Sequence, residues 1–159
     1  GYSGEVGHMV VNPDGLACHC GTRGCWETEI GADAIIRATG ADSGYADVAA
    51  VLAAAGERES AAERALRSVA SWVDIGLGNL VNILNPEVIV LGGHLSHLLP
   101  YLAYADGPRS ALFATREQAR LALPALGEDS TLFGAAEAAF ESLLMDPLGT
   151  LSRSRALAS

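Results

Sequence analysis

The chain contains no lysine. All ten of its basic residues are arginine, set against 19 Asp and Glu, for a net charge of −9 over 159 residues. A surface this acidic repels phosphate backbones, which excludes DNA or RNA binding by this segment on its own. No apolar run approaches the ~18 residues that a membrane span needs, because Glu, Asp, Asn and Arg interrupt every candidate; no membrane partner is expected. A secretory signal is missing too, since Gly1-Tyr2-Ser3-Gly4-Glu5 has neither a basic n-region nor an apolar h-region, and the expected location is cytoplasmic. There is no initiator Met and the opening residues are loop-forming, so the chain is expected to be the C-terminal part of a longer protein. What is present is globular. Half the residues are apolar and 18% charged, too apolar for disorder, and a chain this long buries roughly 70% of its unfolded surface.

Cysteine is scarce and confined to one place. The three cysteines fall within Cys18-His19-Cys20-Gly21-Thr22-Arg23-Gly24-Cys25. An odd number argues against a closed disulfide framework, and Cys18 with Cys20 would close too strained a ring. Three thiols among glycines suit a metal knuckle, and a structural zinc takes four tetrahedral N or S ligands. His8 is the expected fourth ligand, returned to the thiols by the turn Asn12-Pro13-Asp14-Gly15. His19 is the alternative, but a side chain between two metal-bound cysteines tends to point away. The competing reading is three reduced, buried thiols without a metal. A catalytic zinc would need an open position, which three Cys and one His leave unavailable.

Residues 8–12 read as a short strand or the end of one and 13–29 as the Cys/Gly loop, with Trp26 as its apolar plug. A helix is expected over 31–39, stopped at Gly40, then a turn over 40–44 and an Ala-rich helix over 46–55. The longest helix is expected over 59–84, where Ala62, Leu66, Val69, Val73, Leu77, Leu80 and Leu84 form one stripe. Gly76 and Gly78 interrupt it for close packing, Trp72 is a core candidate, and Asn85-Pro86 ends it. Glu87–Leu91 reads as a two-sided buried strand of a parallel sheet, making an α/β unit with the helix before it. Further elements are a helix over 95–104, a turn at 106–108, an outer strand over 118–123, and a helix over 131–145 whose face carries Leu132, Ala136, Ala139, Phe140, Leu143 and Leu144. Residues 146–159 read as a tail.

Several side chains are placed for chemistry. Glu5 stands three residues before His8, and Glu27 two after Cys25. A metal gathering His8 and the thiols would bring both carboxylates to one rim, where they can accept charge-assisted hydrogen bonds from sugar hydroxyls. His8 would turn one nitrogen to the metal and the other to the ligand. The alternative is that each Glu is a solvated surface carboxylate. Gly92-Gly93, after the buried strand, either lets a nucleotide or sugar approach or is a plain strand-to-helix turn. His94 and His97 read as capping or surface residues.

Gly4-Glu5-Val6-Gly7-His8-Met9 followed by Cys18-His-Cys20-Gly21-Thr-Arg-Gly24-Cys25-Trp-Glu27 resembles the ROK family of repressors, open reading frames and kinases. Asn82-Ile-Leu-Asn85-Pro86-Glu87-Val-Ile-Val-Leu-Gly92-Gly93 resembles its second recurrent stretch, and Leu126-Gly127 through Gly134-Ala135-Ala136 its third. The resemblance implies an α/β actin-like ATPase or ribonuclease-H-like fold, here its C-terminal lobe over 1–145 with a zinc loop over 8–27. It implies zinc on His8, Cys18, Cys20 and Cys25, and a small sugar or amino sugar on Glu5, His8 and Glu27. It also suggests a homo-oligomer. Family kinases carry an Asp-Gly-Gly-Thr-like phosphate loop and an Asn-Asp pair, and family repressors a helix-turn-helix that contacts DNA; these 159 residues contain none of them. His94, where kinases keep a small residue, and the ending Phe140-Glu-Ser-Leu-Leu-Met-Asp146-Pro147 resemble the repressors. The expectation is therefore the sugar-sensing portion of a repressor. The alternative is part of a sugar kinase, of glucokinase or N-acetylmannosamine kinase type, using ATP and magnesium with Gly92 and Gly93 at the nucleotide.

Overall fold

The structure, a computed structural model, describes residues 4–40, 61–102 and 119–149. The expected helix over 46–55, the turn at 106–108, the turn beyond Gly40 and the tail beyond 149 lie outside the described residues. The chain divides into two compact units, Gly1–Ala122 and Leu123–Ser159.

The first unit starts with a 3₁₀ turn, Val6–His8, which runs into the span 8–12 that reads as a short strand or the end of one. The His8 and Met9 N–H groups donate to the carbonyls of Glu5 and Val6, so the backbone closes on itself before it can extend. Pro13 has no N–H for a ladder, and the Gly15 N–H donates to the Asn12 carbonyl at 2.8 Å, which reverses the chain. Only the single antiparallel bridge Val10–Cys25 remains of strand pairing there.

Helix α1, Trp26–Ile30, occupies the end of what the sequence reads as loop. The Thr28 hydroxyl donates to the Cys25 carbonyl at 2.7 Å, and the Gly31 N–H closes the helix on the Glu27 carbonyl. Helix α2, Ala32–Thr39, follows as expected and ends on Gly40 in the left-handed region, φ 68°.

Helix α3 spans Ala61–Leu84. Leu66, Val69, Val73 and Leu77 of the expected stripe are buried, together with Ala65, Ala70, Gly76 and Val81. Leu84 is 64% exposed and falls off the stripe's end. Asn85 takes φ 45°, and its N–H donates to the Val81 carbonyl, so the helix ends at Asn85-Pro86 as the sequence predicts. The two glycines of α3 differ. A Cβ on Gly76 would lie 1.9 Å from the Trp26 ring, whereas one on Gly78 would meet nothing within 4 Å. The indole N–H of Trp26 donates to the Trp72 carbonyl at 2.8 Å. Trp26 is therefore not a plug within the loop but the contact between α1 and α3. Trp72 is half-buried against the same core.

Strand β1, Val88–Val90, pairs in parallel with β2, Arg120–Ala122, with Val88 opposite Arg120. The parallel pairing agrees with expectation, but the two-sided burial does not. Val88 and Val90 share one face and are 40% and 57% exposed, while Leu91 just beyond is buried. Alternate residues point to opposite faces, and among the described residues only the Ile89 and Leu91 side of β1 packs on the core. Gly93–Tyr101 forms a 3₁₀ segment instead of an α-helix over 95–104. Pro100 lies inside it and has no N–H for an i−4 bond. Leu98 and Leu102 nevertheless reach the core.

The second unit holds a 3₁₀ turn, Gly127–Asp129, and helix α4, Ser130–Met145. The helix falls where the sequence puts it. Its apolar face does not become core among the described residues, where Leu132, Phe140 and Leu144 are exposed. Asp146 accepts the Gly149 N–H at 3.0 Å, so the first residues of the expected tail make a capped turn. No helix among the described residues is long and apolar enough to cross a membrane.

The glycine contrast sets a prediction. Gly76→Ala forces a methyl into the Trp26 ring and should destabilise the protein by about 1–3 kcal/mol, the usual cost of overpacking. Gly78→Ala has open space and should be neutral or stabilising by up to about 1 kcal/mol. Chemical denaturation of the two variants checks this; equal midpoints would contradict it.

Candidate metal centre

The Cys loop is built on one close crossing of the backbone. Gly24 has φ +67°, and a Cβ there would lie 1.5 Å from the Asn12 carbonyl oxygen, so no other residue fits. The Val11 and Asn12 N–H groups both donate to the Gly24 carbonyl, and the Gly24 N–H donates to the Leu16 carbonyl. This knot brings His8, at the end of the 3₁₀ turn, to the thiols. The Asn12 amide also donates to the Glu29 carboxylate at 3.1 Å, tying the loop to α1.

One ligand atom from each of His8, Cys18, Cys20 and Cys25 lies within 4.8 Å of the others. His8 Nδ1 is 3.6 Å from Cys18 Sγ, and the Cys20 and Cys25 sulfurs are 3.5 Å apart. A tetrahedral zinc with Zn–S bonds of ~2.3 Å needs sulfurs ~3.8 Å apart. Three soft thiols and an imidazole at these separations fit a structural zinc by donor type, number and spacing. All three cysteines are free of disulfides, Cys18 and Cys25 buried and Cys20 exposed.

His19 does not point away as the sequence reading expects. Its Nδ1 lies 3.8 Å from Cys18 Sγ and 3.5 Å from Glu27 Oε1, and its ring meets that of His8 edge to face with centroids 5.0 Å apart. His8, His19 and Glu27 thus form a second group with ligand atoms within 4.8 Å. It shares His8 with the first but lacks thiols, so the Cys set is the better zinc site.

Glu27 packs against Gly7, where a Cβ would lie 3.6 Å from its Oε2. Its carboxylate therefore stands beside the turn that carries His8. Glu5 is exposed at the start of that turn, with its carbonyl accepting the His8 N–H. Gly92 and Gly93 are exposed with open space beside both, and Gly93 has φ +56°. The next residue, His94, is half-buried, and its Nε2 lies 3.0 Å from the Ile30 carbonyl at the end of α1. It is a tether between segments, a role closer to capping than to ligand binding. His97 is exposed. The sequence reading missed Thr22, whose hydroxyl lies 3.1 Å from Cys20 Sγ and 3.0 Å from Cys25 Sγ; a lone Thr between ligands has no motif to mark it.

The thiols differ electrically. The Thr22 hydroxyl, then the Thr22 N–H, hold the Cys20 thiol down at about 6. At Cys18 the Cys20 N–H pulls downward, but desolvation and the Cys20 and Cys25 sulfurs outweigh it and push the thiol above its ordinary value.

The ROK family profile matches residues 1–141, and the chain belongs to the ROK family. It is 32% identical over 91 residues to the xylose repressor of Bacillus spizizenii, covering 57% of this chain and 24% of that protein. It superposes with a TM-score of 0.65 and 27% identity on a ROK family glucokinase from Streptomyces griseus, solved in complex with glucose and AMPPNP, covering 84% of this chain and 50% of that one. A ROK family transcriptional regulator, homolog of the E. coli MLC protein, superposes with a TM-score of 0.52 and 25% identity, covering 76% and 34%. The chain spans about a quarter to a half of the length of the curated relatives it matches.

At pH 7 the metal-free Cys20 lies above its titration point near 6 and is mostly thiolate, while Cys18 is mostly thiol. Cys20 is also the exposed one. Iodoacetamide should therefore label Cys20 first in metal-free protein, and its lead should shrink as pH falls through 6. Peptide mass spectrometry checks this; equal labelling of Cys20 and Cys18 at pH 7 would contradict it.

Proposed function

We infer that this chain is the sugar-sensing portion of a ROK-type transcriptional repressor, with a structural zinc on His8, Cys18, Cys20 and Cys25 and a small sugar or amino sugar on Glu5, His8 and Glu27. The observation that carries the reading is the double duty of His8. It belongs both to the four-donor thiol group and to the group containing Glu27. Zinc would stiffen the loop and fix the tautomer and direction of the His8 ring. The carboxylates of Glu5 and Glu27 would then accept sugar hydroxyls, and the outer nitrogen of His8 would make a third polar contact. A net charge of −9 keeps this segment off DNA, so operator contact would fall to another part of the protein. Assembly as a homo-oligomer is part of the same reading.

The likeness to a xylose repressor and to a ROK regulator supports the repressor. So does His94, whose ring is tied to Ile30 beside the Gly-Gly turn, where a nucleotide would need room. The alternative is part of a sugar kinase using ATP and magnesium. It draws support from the glucokinase likeness and from the open space beside Gly92 and Gly93. Full-length protein separates the two: a repressor releases operator DNA on adding sugar and does not transfer phosphate, whereas a kinase phosphorylates a hexose with ATP and magnesium.

Two measurements test the site. Elemental analysis of protein purified without added metal should find about one zinc per chain, and His8→Ala should lose both zinc and sugar. Glu5→Gln and Glu27→Gln should keep zinc but weaken sugar binding. A charge-assisted hydrogen bond contributes roughly 1.5–3 kcal/mol, which corresponds to about ten- to a hundred-fold in affinity. Calorimetry with hexoses and N-acetylhexosamines gives the answer; wild-type affinity in both variants would make the two carboxylates ordinary surface groups.

A further inference from the structure

Thr22 touches every cysteine of the candidate centre, two through their sulfurs and one through its backbone. Its carbonyl accepts the Cys18 N–H at 2.8 Å. Its hydroxyl lies 3.1 Å from Cys20 Sγ and 3.0 Å from Cys25 Sγ, two sulfurs that are themselves 3.5 Å apart. Residues 8–27 contain no other Ser or Thr, and Arg23 is their only Lys or Arg.

The chemistry of a loaded site fixes the direction of these contacts. Metal-bound thiolates carry no proton, so they can only accept, and the hydroxyl must donate. It has one proton for two sulfurs and serves them in turn. A dication with three thiolates and a neutral imidazole leaves one net negative charge on the cluster. An O–H dipole aimed at the sulfur pair stabilises that charge, the same kind of support that carboxylates and carbonyls give to histidine ligands.

We propose that Thr22 is the positioning residue of this metal centre. Its hydroxyl holds the Cys20 and Cys25 sulfurs at ligating separation and stabilises the negative charge of the loaded cluster, which tightens the metal, while the hydrogen bond lowers the nucleophilicity of the thiolates. Its backbone carbonyl independently anchors Cys18, so one residue organises all three sulfur ligands. This role rests on the metal reading above, and the test separates the two.

The test uses full-length protein loaded with Co²⁺, whose absorption reports the ligands directly. Wild type should show one equivalent with a tetrahedral d–d pattern and a sulfur-to-cobalt charge-transfer band. Thr22→Val keeps the shape and the backbone carbonyl but removes the hydroxyl. The charge-transfer band should move to lower energy, because sulfur without the hydrogen bond gives up electron density more readily. In competition with a chelator, metal affinity should fall by about ten- to a hundred-fold. Thr22→Ser should restore both. If Thr22→Val fails to fold, Thr22→Ser against Thr22→Ala makes the same comparison. A Thr22→Val spectrum and affinity equal to wild type overturns the role of Thr22 with the metal reading intact. Failure of wild type to take up cobalt overturns the metal reading itself.

Discussion

The structure turns on the contact between the Trp26 ring and Gly76. Gly76 has no Cβ, so the indole lies directly on the backbone of α3, and the indole N–H finds the Trp72 carbonyl one turn away. A buried Trp removes a large apolar surface from water only if its polar N–H is also satisfied, and both conditions are met at one spot. Cys25 caps α1 just before Trp26, and Glu27 follows it. Successive residues on a helix diverge by about 100°, so the three side chains separate, Cys25 to the thiol cluster, Trp26 into the core and Glu27 to the exposed rim beside His8. A contact between two helices thereby sets where the candidate metal ligands and the rim carboxylate stand.

The loop on the other side of that contact rests Met9 and Val11 against the core. Its geometry is held by backbone hydrogen bonds around Gly24 and by donors gathered at one point. A metal held at those donors would stiffen the loop further, since it would offset part of the conformational entropy that ordering it costs. Family membership adds what geometry alone lacks, namely that this chain is similar both to a xylose repressor and to a glucokinase.

The parts of the candidate site legible in the sequence were those marked by unusual spacing. Three thiols in eight residues and a histidine ten residues upstream form a group in space as they do along the chain. His19 was misread because the rule for side chains between two ligands ignores what else lies nearby; Glu27, brought in by α1, offers its ring a partner. Thr22 left no mark in sequence, because a hydroxyl at that spacing is common and only the fold places it between two sulfurs.

The same division holds for the fold. The sequence by itself determined the long helix and its end, since the apolar stripe from Leu66 to Leu77 and the Asn85-Pro86 stop are local properties of the chain. It determined where strand β1 and the final helix lie for the same reason. It did not determine what those elements pack against. A stripe such as Leu132, Phe140 and Leu144 on α4 shows that one face is apolar, yet these side chains are exposed among the described residues. Val88 and Val90 likewise read as core and lie on the open face of β1. The 3₁₀ form of Gly93–Tyr101, the helix hidden in the Cys loop and the seating of Trp26 on Gly76 were decided by the tertiary structure. Each depends on which distant backbone group or ring comes within reach, and no periodicity along the chain encodes that distance.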